Sequence, residues 1–158
     1  MCSMRNKIIY GMVVVVLIVS AYFLIIKLSD DSQYANVPFE IVSTGNYGGI
    51  KQKNNIIIKN QQELLDLWSK PSSELLEVDF ETEMIIAIFM GEFGSGGYST
   101  EIITLEEDVD NLKVTIENTF PADNCYLPLI PTQPSHIIKT KKTDKEIKFK
   151  EINKIHKC

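Results

Sequence analysis

Residues 84–105 read MIIAIFMGEFGSGGYSTEIITL, and this stretch decides the fold. It opens with Met84–Met90, a continuous apolar run of strand length, which is typical of a central strand buried on both faces. The glycine-rich segment that follows allows the chain to turn tightly. Tyr98–Leu105 then has the β-branched character of a second strand. The stretch therefore predicts a tight, bulged hairpin inside a β-rich domain.

Further strand patterns lie on both sides of this predicted hairpin. Each is short, is rich in β-branched residues or alternates, and is bounded by turn residues. The segments are Phe39–Ser43, Asn55–Lys59, Leu112–Glu117, His136–Thr140 and Glu146–Ile152. The last two predict a closing hairpin. Seven strands in a run of adjacent hairpins indicate an α+β fold, mostly antiparallel β and sandwich- or barrel-like, with one amphipathic helix.

That helix is predicted over Asn60–Lys70. Asn60 is a good N-terminal cap, and Glu63 supplies the acidic residue three positions later. The apolar face is formed by Leu64, Leu67 and Trp68. We expect this face to pack against the core.

An uncharged apolar run, residues 8–26, precedes the domain. Its nineteen residues would span roughly 28 Å as a helix, close to the about 30 Å of a bilayer's hydrocarbon core. Arg5 and Lys7 precede the run and Asp30 follows it, which places the N-terminus inside the cell. An uncleaved membrane anchor is therefore predicted, with signal-peptidase cleavage at residues 19–21 (VSA) as the alternative.

The predicted organisation has four parts, listed here in chain order. Residues 1–27 are the cytoplasmic N-terminus and transmembrane anchor, residues 28–37 a juxtamembrane linker, residues 38–153 an extracytoplasmic β-rich domain, and residues 154–158 a tail. The expected localisation is that of a single-pass membrane protein with its C-terminal domain outside the cell.

The charge balance excludes general nucleic-acid binding. The 158 residues carry a formal net charge of −5. Beyond the first 27 residues there are 13 basic against 21 acidic side chains, a formal charge of −8. An acidic domain repels phosphate backbones. Three cysteines and two histidines are too few and too scattered to predict a zinc site or a disulfide framework.

No motif in the sequence predicts catalysis or a cofactor. The glycine-rich segment lacks the dinucleotide fingerprint and the P-loop lysine, and a strand pattern rather than a helix follows it. Ser95 lacks the first glycine of a nucleophile elbow, because Phe93 stands in that place. An enzyme would need a pair assembled from distant residues such as His136 and Glu101. We therefore expect no enzyme activity and assign no catalytic, cofactor-binding or metal-ligating residues.

Two features remain as candidate sites. The glycine-rich loop is either a turn only or a turn that also contacts a partner, and its candidate contact residues are Phe93, Gly94, Ser95, Gly96, Gly97 and Tyr98. Cys125 and Cys158 could form a disulfide in an oxidising compartment. The alternative is that Cys158 stays free or pairs between molecules, since distance cannot be read from sequence.

An ordered series of motifs resembles the PrcB C-terminal domain family. The series begins with Asp79-Phe80 before the apolar strand and continues through MGEFGSGGYSTEI and LKVTIE. It ends with Phe120-Pro121 and with PSHIIK, which starts at Pro134. Cys125 falls where this family often has a cysteine. The resemblance covers about residues 78–142.

The resemblance implies a bacterial, extracytoplasmic accessory domain without catalytic residues. The family takes its name from a subunit of a spirochaete surface protease complex, implied to aid the stability or maturation of a subtilisin-like protease. We therefore expect a membrane-anchored, non-enzymatic domain that binds a protein partner, with a subtilisin-like protease as the implied candidate. The alternative is a protease inhibitor or regulator that inserts the Gly-Gly-Tyr loop into an active-site cleft.

Overall fold

The computed structural model describes residues 15–22, 34–67 and 77–158. The chain divides into two compact units, Met1–Gln33 and Tyr34–Cys158. The unit Tyr34–Cys158 contains the whole β-rich domain, and we call it the β domain.

The described part of the N-terminal unit corrects the prediction of a membrane anchor. Of the apolar run at residues 8–26, the structure describes residues 15–22, which are helical, and the rest of the run lies outside the described residues. Within the described ranges, no helix combines the length and the apolar character needed to cross a bilayer. This finding overturns the predicted transmembrane helix and the single-pass localisation that depended on it.

Two four-stranded sheets pack face to face in the β domain. The strands are β1 (Ala35–Asn36), β2 (Phe39–Gly45), β3 (Asn54–Ile58), β4 (Glu83–Phe89), β5 (Ser99–Glu107), β6 (Asn111–Pro121), β7 (Ser135–Lys141) and β8 (Glu146–His156). Sheet A has the order β1-β5-β6-β8, and sheet B has the order β2-β7-β4-β3. The β-rich character is confirmed. The predicted count of seven strands is corrected to eight within the described residues, because residues 35–36 pair with the end of β5.

β4 is the central strand, and its apolar sequence explains its position. It lies between β3 and β7 in sheet B, and every residue from Met84 to Phe89 is buried. Alternate side chains from Met84 onwards face the core between the two sheets. Those from Ile85 onwards face a second core on the other side of sheet B. The predicted burial on both faces is confirmed.

A short helix, Gln61–Leu67, covers the second core and buries Leu64 there. Its predicted N-terminal cap is confirmed, because Asn60 Oδ1 accepts a hydrogen bond from Glu63 N–H at 2.9 Å. The Glu63 carboxylate in turn accepts a hydrogen bond from the Asn60 side-chain amide at 2.7 Å. Trp68, which is predicted to share the apolar face, lies outside the described residues.

The connectivity differs from the predicted run of adjacent hairpins. β4 and β5 belong to different sheets, so the glycine-rich segment between them crosses from sheet B to sheet A. β7 and β8 also lie in different sheets, and β8 pairs in parallel with β6. Both predicted hairpins are therefore wrong. The physical reason is that a local turn pattern does not specify which sheet edge the next strand will join.

Candidate functional site

Three connections leave the sheets at the same end of the β domain. In sheet B, Phe89 at the end of β4 pairs with Ser135 at the start of β7. In sheet A, Ser99 at the start of β5 pairs with Thr119 near the end of β6. The connections are loop 46–53, the glycine loop (residues 91–98) and the proline loop (residues 122–134). We call the surface that they form the loop end.

The proline loop braces the glycine loop through hydrogen bonds. Phe93 N–H donates to the Thr132 carbonyl at 2.8 Å, and Thr132 N–H donates back to the Phe93 carbonyl at 2.9 Å. The Thr132 hydroxyl donates to the Ser95 carbonyl at 2.8 Å, and Gly96 N–H donates to the Pro128 carbonyl at 3.0 Å. Two connections that are distant in sequence therefore form one hydrogen-bonded unit.

Two glycines allow these loops to approach each other closely. A Cβ atom on Gly96 would lie 2.9 Å from Pro128 Cγ. Gly97 has a φ of +94°, and a Cβ there would lie 2.8 Å from Leu127 Cδ2. Gly97 takes a positive φ, whereas Gly94 and Gly96 do not. Gly96 is instead required by the close approach of Pro128.

The aromatic side chains of the glycine loop pack against each other. The rings of Phe93 and Tyr98 stack with their centroids 3.9 Å apart and their planes within 10°. Tyr98 also meets Phe120 of β6 edge-on, with a centroid separation of 6.1 Å. Aromatic pairs of these geometries contribute about 0.5–1.5 kcal/mol each beyond their buried area. The Tyr98 ring is therefore held by two neighbours instead of projecting from the loop.

The exposed apolar side chains of the loop end lie mainly on the proline loop. Tyr126 and Leu129 are almost fully exposed, at 105% and 89% of their reference areas, and Ile130 is 54% exposed. Tyr47 in loop 46–53 is 77% exposed, and its backbone forms a bridge to Gln133. We call Tyr47, Tyr126, Leu129 and Ile130 the apolar patch.

Sequence reasoning missed the apolar patch. The prolines at positions 128, 131 and 134 predict a stiff loop that enters a strand, and the local pattern does not say which side of that loop faces solvent. The available signal was the sequence YLPLIP at residues 126–131, in which prolines separate large apolar side chains. In a proline-rich loop the apolar residues do not recur at the period of a helix or a strand. The sequence therefore does not show whether they pack into the core or form a contact surface.

A charged contact joins all three connections at the rim of the loop end. Glu92 of the glycine loop accepts a hydrogen bond from Gln133 Nε2 of the proline loop at 2.7 Å. The same carboxylate forms an ion pair with Lys51 of loop 46–53 at 3.4 Å. The hydrogen bond from Gln133, followed by the charge of Lys51, lowers the pKa of Glu92. The carboxylate is therefore ionised at neutral pH.

A disulfide between Cys125 and Cys158 ties the proline loop to the C-terminal end of β8. The two Cα atoms are 5.5 Å apart, within the range of about 4.4–6.8 Å that disulfides require. Beside it, Ala122 N–H donates to the His156 carbonyl at 3.0 Å. The loop that carries Tyr126 is therefore attached to sheet A by a covalent bond and a hydrogen bond.

His136 lies apart from this surface, within sheet B. The residue is 2% exposed, and its Nδ1 accepts a hydrogen bond from Ile102 N–H at 3.0 Å. Burial lowers the pKa of His136, and the nearby Glu101 carboxylate opposes that change. The structure thus brings His136 and Glu101 near each other, but the ring is buried and its Nδ1 is engaged in holding β7 to β5. Among residues 15–22, 34–67 and 77–158, no group of three His, Cys, Asp or Glu side chains is placed to hold a metal ion.

Comparison with known proteins places two of the three connections at the loop end within a family segment. A family model described as PrcB C-terminal matches residues 84–141. No curated protein and no solved structure matches the chain. The matched segment runs from β4 to β7 and includes the glycine loop and the proline loop. The resemblance expected from the sequence is therefore confirmed, and residues 84–141 match the PrcB C-terminal family.

Proposed function

We propose that the β domain is a non-enzymatic accessory domain that binds a protein partner through the apolar patch. The observation that carries this proposal is the exposure of Tyr126, Leu129 and Ile130 on a loop held by a disulfide and by hydrogen bonds. Exposure of large apolar side chains to water is unfavourable, and a partner that covers them removes this cost. Because the loop is already ordered, it would lose little conformational entropy when a partner binds to it.

The composition of the patch fits a protein partner. Tyrosine is among the side chains that contribute most to binding in protein interfaces, where it fills a pocket on the partner. The aliphatic side chains beside it add apolar area that a partner can bury. The patch has a polar rim in Lys51, Glu92 and Gln133, and this arrangement of an apolar centre and a polar edge is usual in interfaces. The family resemblance supports a protease complex as the setting, and a subtilisin-like protease is the partner that we propose.

The glycine loop has a supporting role in this proposal. Gly96 is buried, and the Tyr98 ring is stacked between its neighbours, so the loop fixes the proline loop in position. An inhibitor that inserts a Gly-Gly-Tyr turn into a cleft would need that tyrosine to project. The contact residues that we propose are therefore those of the apolar patch, and Phe93 to Tyr98 hold the proline loop in position.

The experiment is crosslinking of the tagged, full-length protein in its native cells, followed by purification and mass spectrometry. The test variant is Tyr126→Ser/Leu129→Ser, which removes the centre of the patch. The matched control is Val109→Ser, because Val109 is 88% exposed in the β5–β6 turn at the opposite end of the β domain.

We expect the wild type and the control to crosslink the same protein in similar yield, and the double variant to lose at least nine-tenths of that yield. The double variant should melt within about 2 °C of the wild type, because exposed side chains make few contacts in the folded chain. A partner that the double variant retains in full, or a chain that crosslinks to no protein, would contradict the proposal. A protease among the captured proteins would support the finer assignment.

A further inference from the structure

Within the proline loop, residues 126–131 (YLPLIP) form one exposed stretch, which we call the presented segment. It belongs to no helix or strand, and five of its six residues are exposed. Two prolines keep it extended, because a residue before proline is restricted to extended conformations and proline itself has a φ of about −65°. An extended, exposed backbone is the form in which a chain can pair with a strand edge on a partner protein.

The presented segment is held on both sides and at its centre. Cys125, immediately before it, is half of the disulfide. In its middle, the Pro128 carbonyl accepts a hydrogen bond from Gly96 N–H at 3.0 Å. Immediately after it, Thr132 exchanges two backbone hydrogen bonds with Phe93. Each residue of the segment therefore lies within two positions of an anchor, and a break in one of its peptide bonds would leave both new ends in place.

The backbone groups of the presented segment point to two different sides. In an extended chain, the N–H and carbonyl groups of successive residues point alternately to opposite edges. Pro128 directs its carbonyl to Gly96 and has no N–H group. The N–H and carbonyl groups of its neighbours, Leu127 and Leu129, form no backbone hydrogen bond with any described residue. These two residues therefore offer an unpaired strand edge on the side away from the glycine loop.

The side chains of the presented segment divide in a similar way. Leu127 is half-buried, and its Cδ2 lies close to Gly97. Tyr126 and Leu129 are three positions apart and are 105% and 89% exposed. A partner that pairs with the unpaired edge would therefore receive two large side chains, one on each side of Leu127, in separate pockets.

We propose that the presented segment occupies the substrate cleft of a subtilisin-like protease as a substrate would, with Leu129–Ile130 as the peptide bond offered for cleavage. The inference rests on the proposed function and specifies the site on the partner. Leu129 is the residue that enters the specificity pocket, and an apolar pocket accepts it. The bond that follows it lies between the anchors at Pro128 and Thr132.

This mode of binding inhibits the protease reversibly. The serine hydroxyl of the protease adds to the Leu129 carbonyl, and its proton passes through the catalytic histidine to the Ile130 nitrogen as the peptide bond breaks. The products are an ester of Leu129 and a free amine on Ile130. Because Pro128 and Thr132 hold the two ends, the amine stays in position, attacks the ester and returns the proton through the histidine to the serine. A protease whose cleft is occupied in this way is shielded from digesting itself.

The test measures inhibition of two purified proteases, subtilisin and trypsin, by the full-length protein, with a small chromogenic substrate for each. We expect competitive inhibition of subtilisin with a Ki of about 1 μM or tighter. Trypsin should not be inhibited, because the aspartate in its pocket selects lysine or arginine. Leu129→Lys should weaken the inhibition of subtilisin at least tenfold and should create inhibition of trypsin. An exposed side chain can be exchanged in this way with little effect on the fold.

Two further variants separate the presented segment from the rest of the chain. Val109→Ser changes an exposed apolar side chain at the opposite end of the β domain, and it should inhibit subtilisin like the wild type. Cys125→Ser/Cys158→Ser releases one anchor, so hydrolysis should compete with closure of the broken bond. Below its melting temperature, this variant should be cut first at Leu129–Ile130, at least tenfold faster than the wild type, as mass spectrometry of the fragments would show.

Three outcomes would overturn the inference: a wild type that does not inhibit subtilisin, a Leu129→Lys variant that does not inhibit trypsin, and a disulfide variant that is cut first at another bond. If the wild type still crosslinks a partner through the apolar patch in such a case, the accessory function stands and only the binding to a substrate cleft is refuted. Inhibition of subtilisin by a chain that crosslinks no protein in its cells would contradict the accessory function alone.

Discussion

Alanine at Gly97 combines backbone strain with a steric conflict, and both can be estimated from the structure. The φ of +94° is a conformation that costs an L-residue about 1–2 kcal/mol. The new Cβ would also lie 2.8 Å from Leu127 Cδ2 and 3.2 Å from Pro121 Cβ. The leucine side chain can rotate away, but the Pro121 atom must move, and such overpacking adds about 1 kcal/mol. The smaller entropy of the unfolded alanine chain offsets about 0.4–1 kcal/mol.

The net expectation for Gly97→Ala is a loss of about 2 kcal/mol in the free energy of unfolding, or roughly 8 °C in melting temperature at about 4 °C per kcal/mol. The assay is urea and thermal unfolding of the full-length protein, with unfolding monitored by far-ultraviolet circular dichroism. Gly94→Ala is the matched control in the same loop, because its Cβ would meet nothing within 4 Å and its φ is not positive. The control should stay within about 0.5 kcal/mol of the wild type or be slightly more stable. Equal stability of the two variants would refute the reasoning.

Two further predictions concern the disulfide and the buried histidine. Replacement of Cys125 and Cys158 by serine opens a covalent ring with a sequence separation of 33, and the chain-entropy model gives a loss of about 3–4 kcal/mol. Urea unfolding should show this loss relative to the oxidised wild type, and free thiols on both cysteines of the oxidised wild type would contradict the assignment. For His136, burial lowers the folded-state pKa, so the unfolded chain binds the proton more readily. The contribution of His136 to the free energy of unfolding is fully present above the ordinary histidine pKa of about 6.5. It falls as the pH decreases from there through the lowered folded-state pKa. His136→Asn should remove this part of the pH dependence, and unchanged slopes between pH 7 and 5 in the variant would argue against it.

Features with a local cause could be predicted from the sequence. The seven apolar residues of Met84–Met90 have no polar face, and burial on both sides of a sheet is the arrangement that such a strand requires. Asn60 and Glu63 act within one turn of helix, so the cap depends on no distant residue. The family motifs around Gly97 and Tyr98 could be recognised because the motifs and their order along the chain are read directly from the sequence, without knowledge of the fold.

Features that depend on distant pairing could not be predicted. A glycine-rich segment such as Gly91–Gly97 suits a hairpin and a crossing between sheets equally well, since both need a tight change of direction. The parallel pairing of β8 with β6 joins segments separated by β7, and no pattern within either strand encodes it. The exposure of Tyr126 and Leu129 depends on Pro128 packing against Gly96, a contact that follows only from the folded loops.

The position of β8 has a consequence for how the domain is made. β8 follows the other described strands in chain order, yet it covers β6 and contributes Ile147 and Phe149 to the core between the sheets. Until those residues emerge, a nascent chain that has folded as far as β7 would leave the edge of β6 unpaired and the apolar core beside it partly open to solvent. Such exposed edges promote aggregation of incomplete chains. The domain therefore cannot complete its core before β8 has been synthesised, and a chain that stops short of Glu146 would leave that core open on the side of β6.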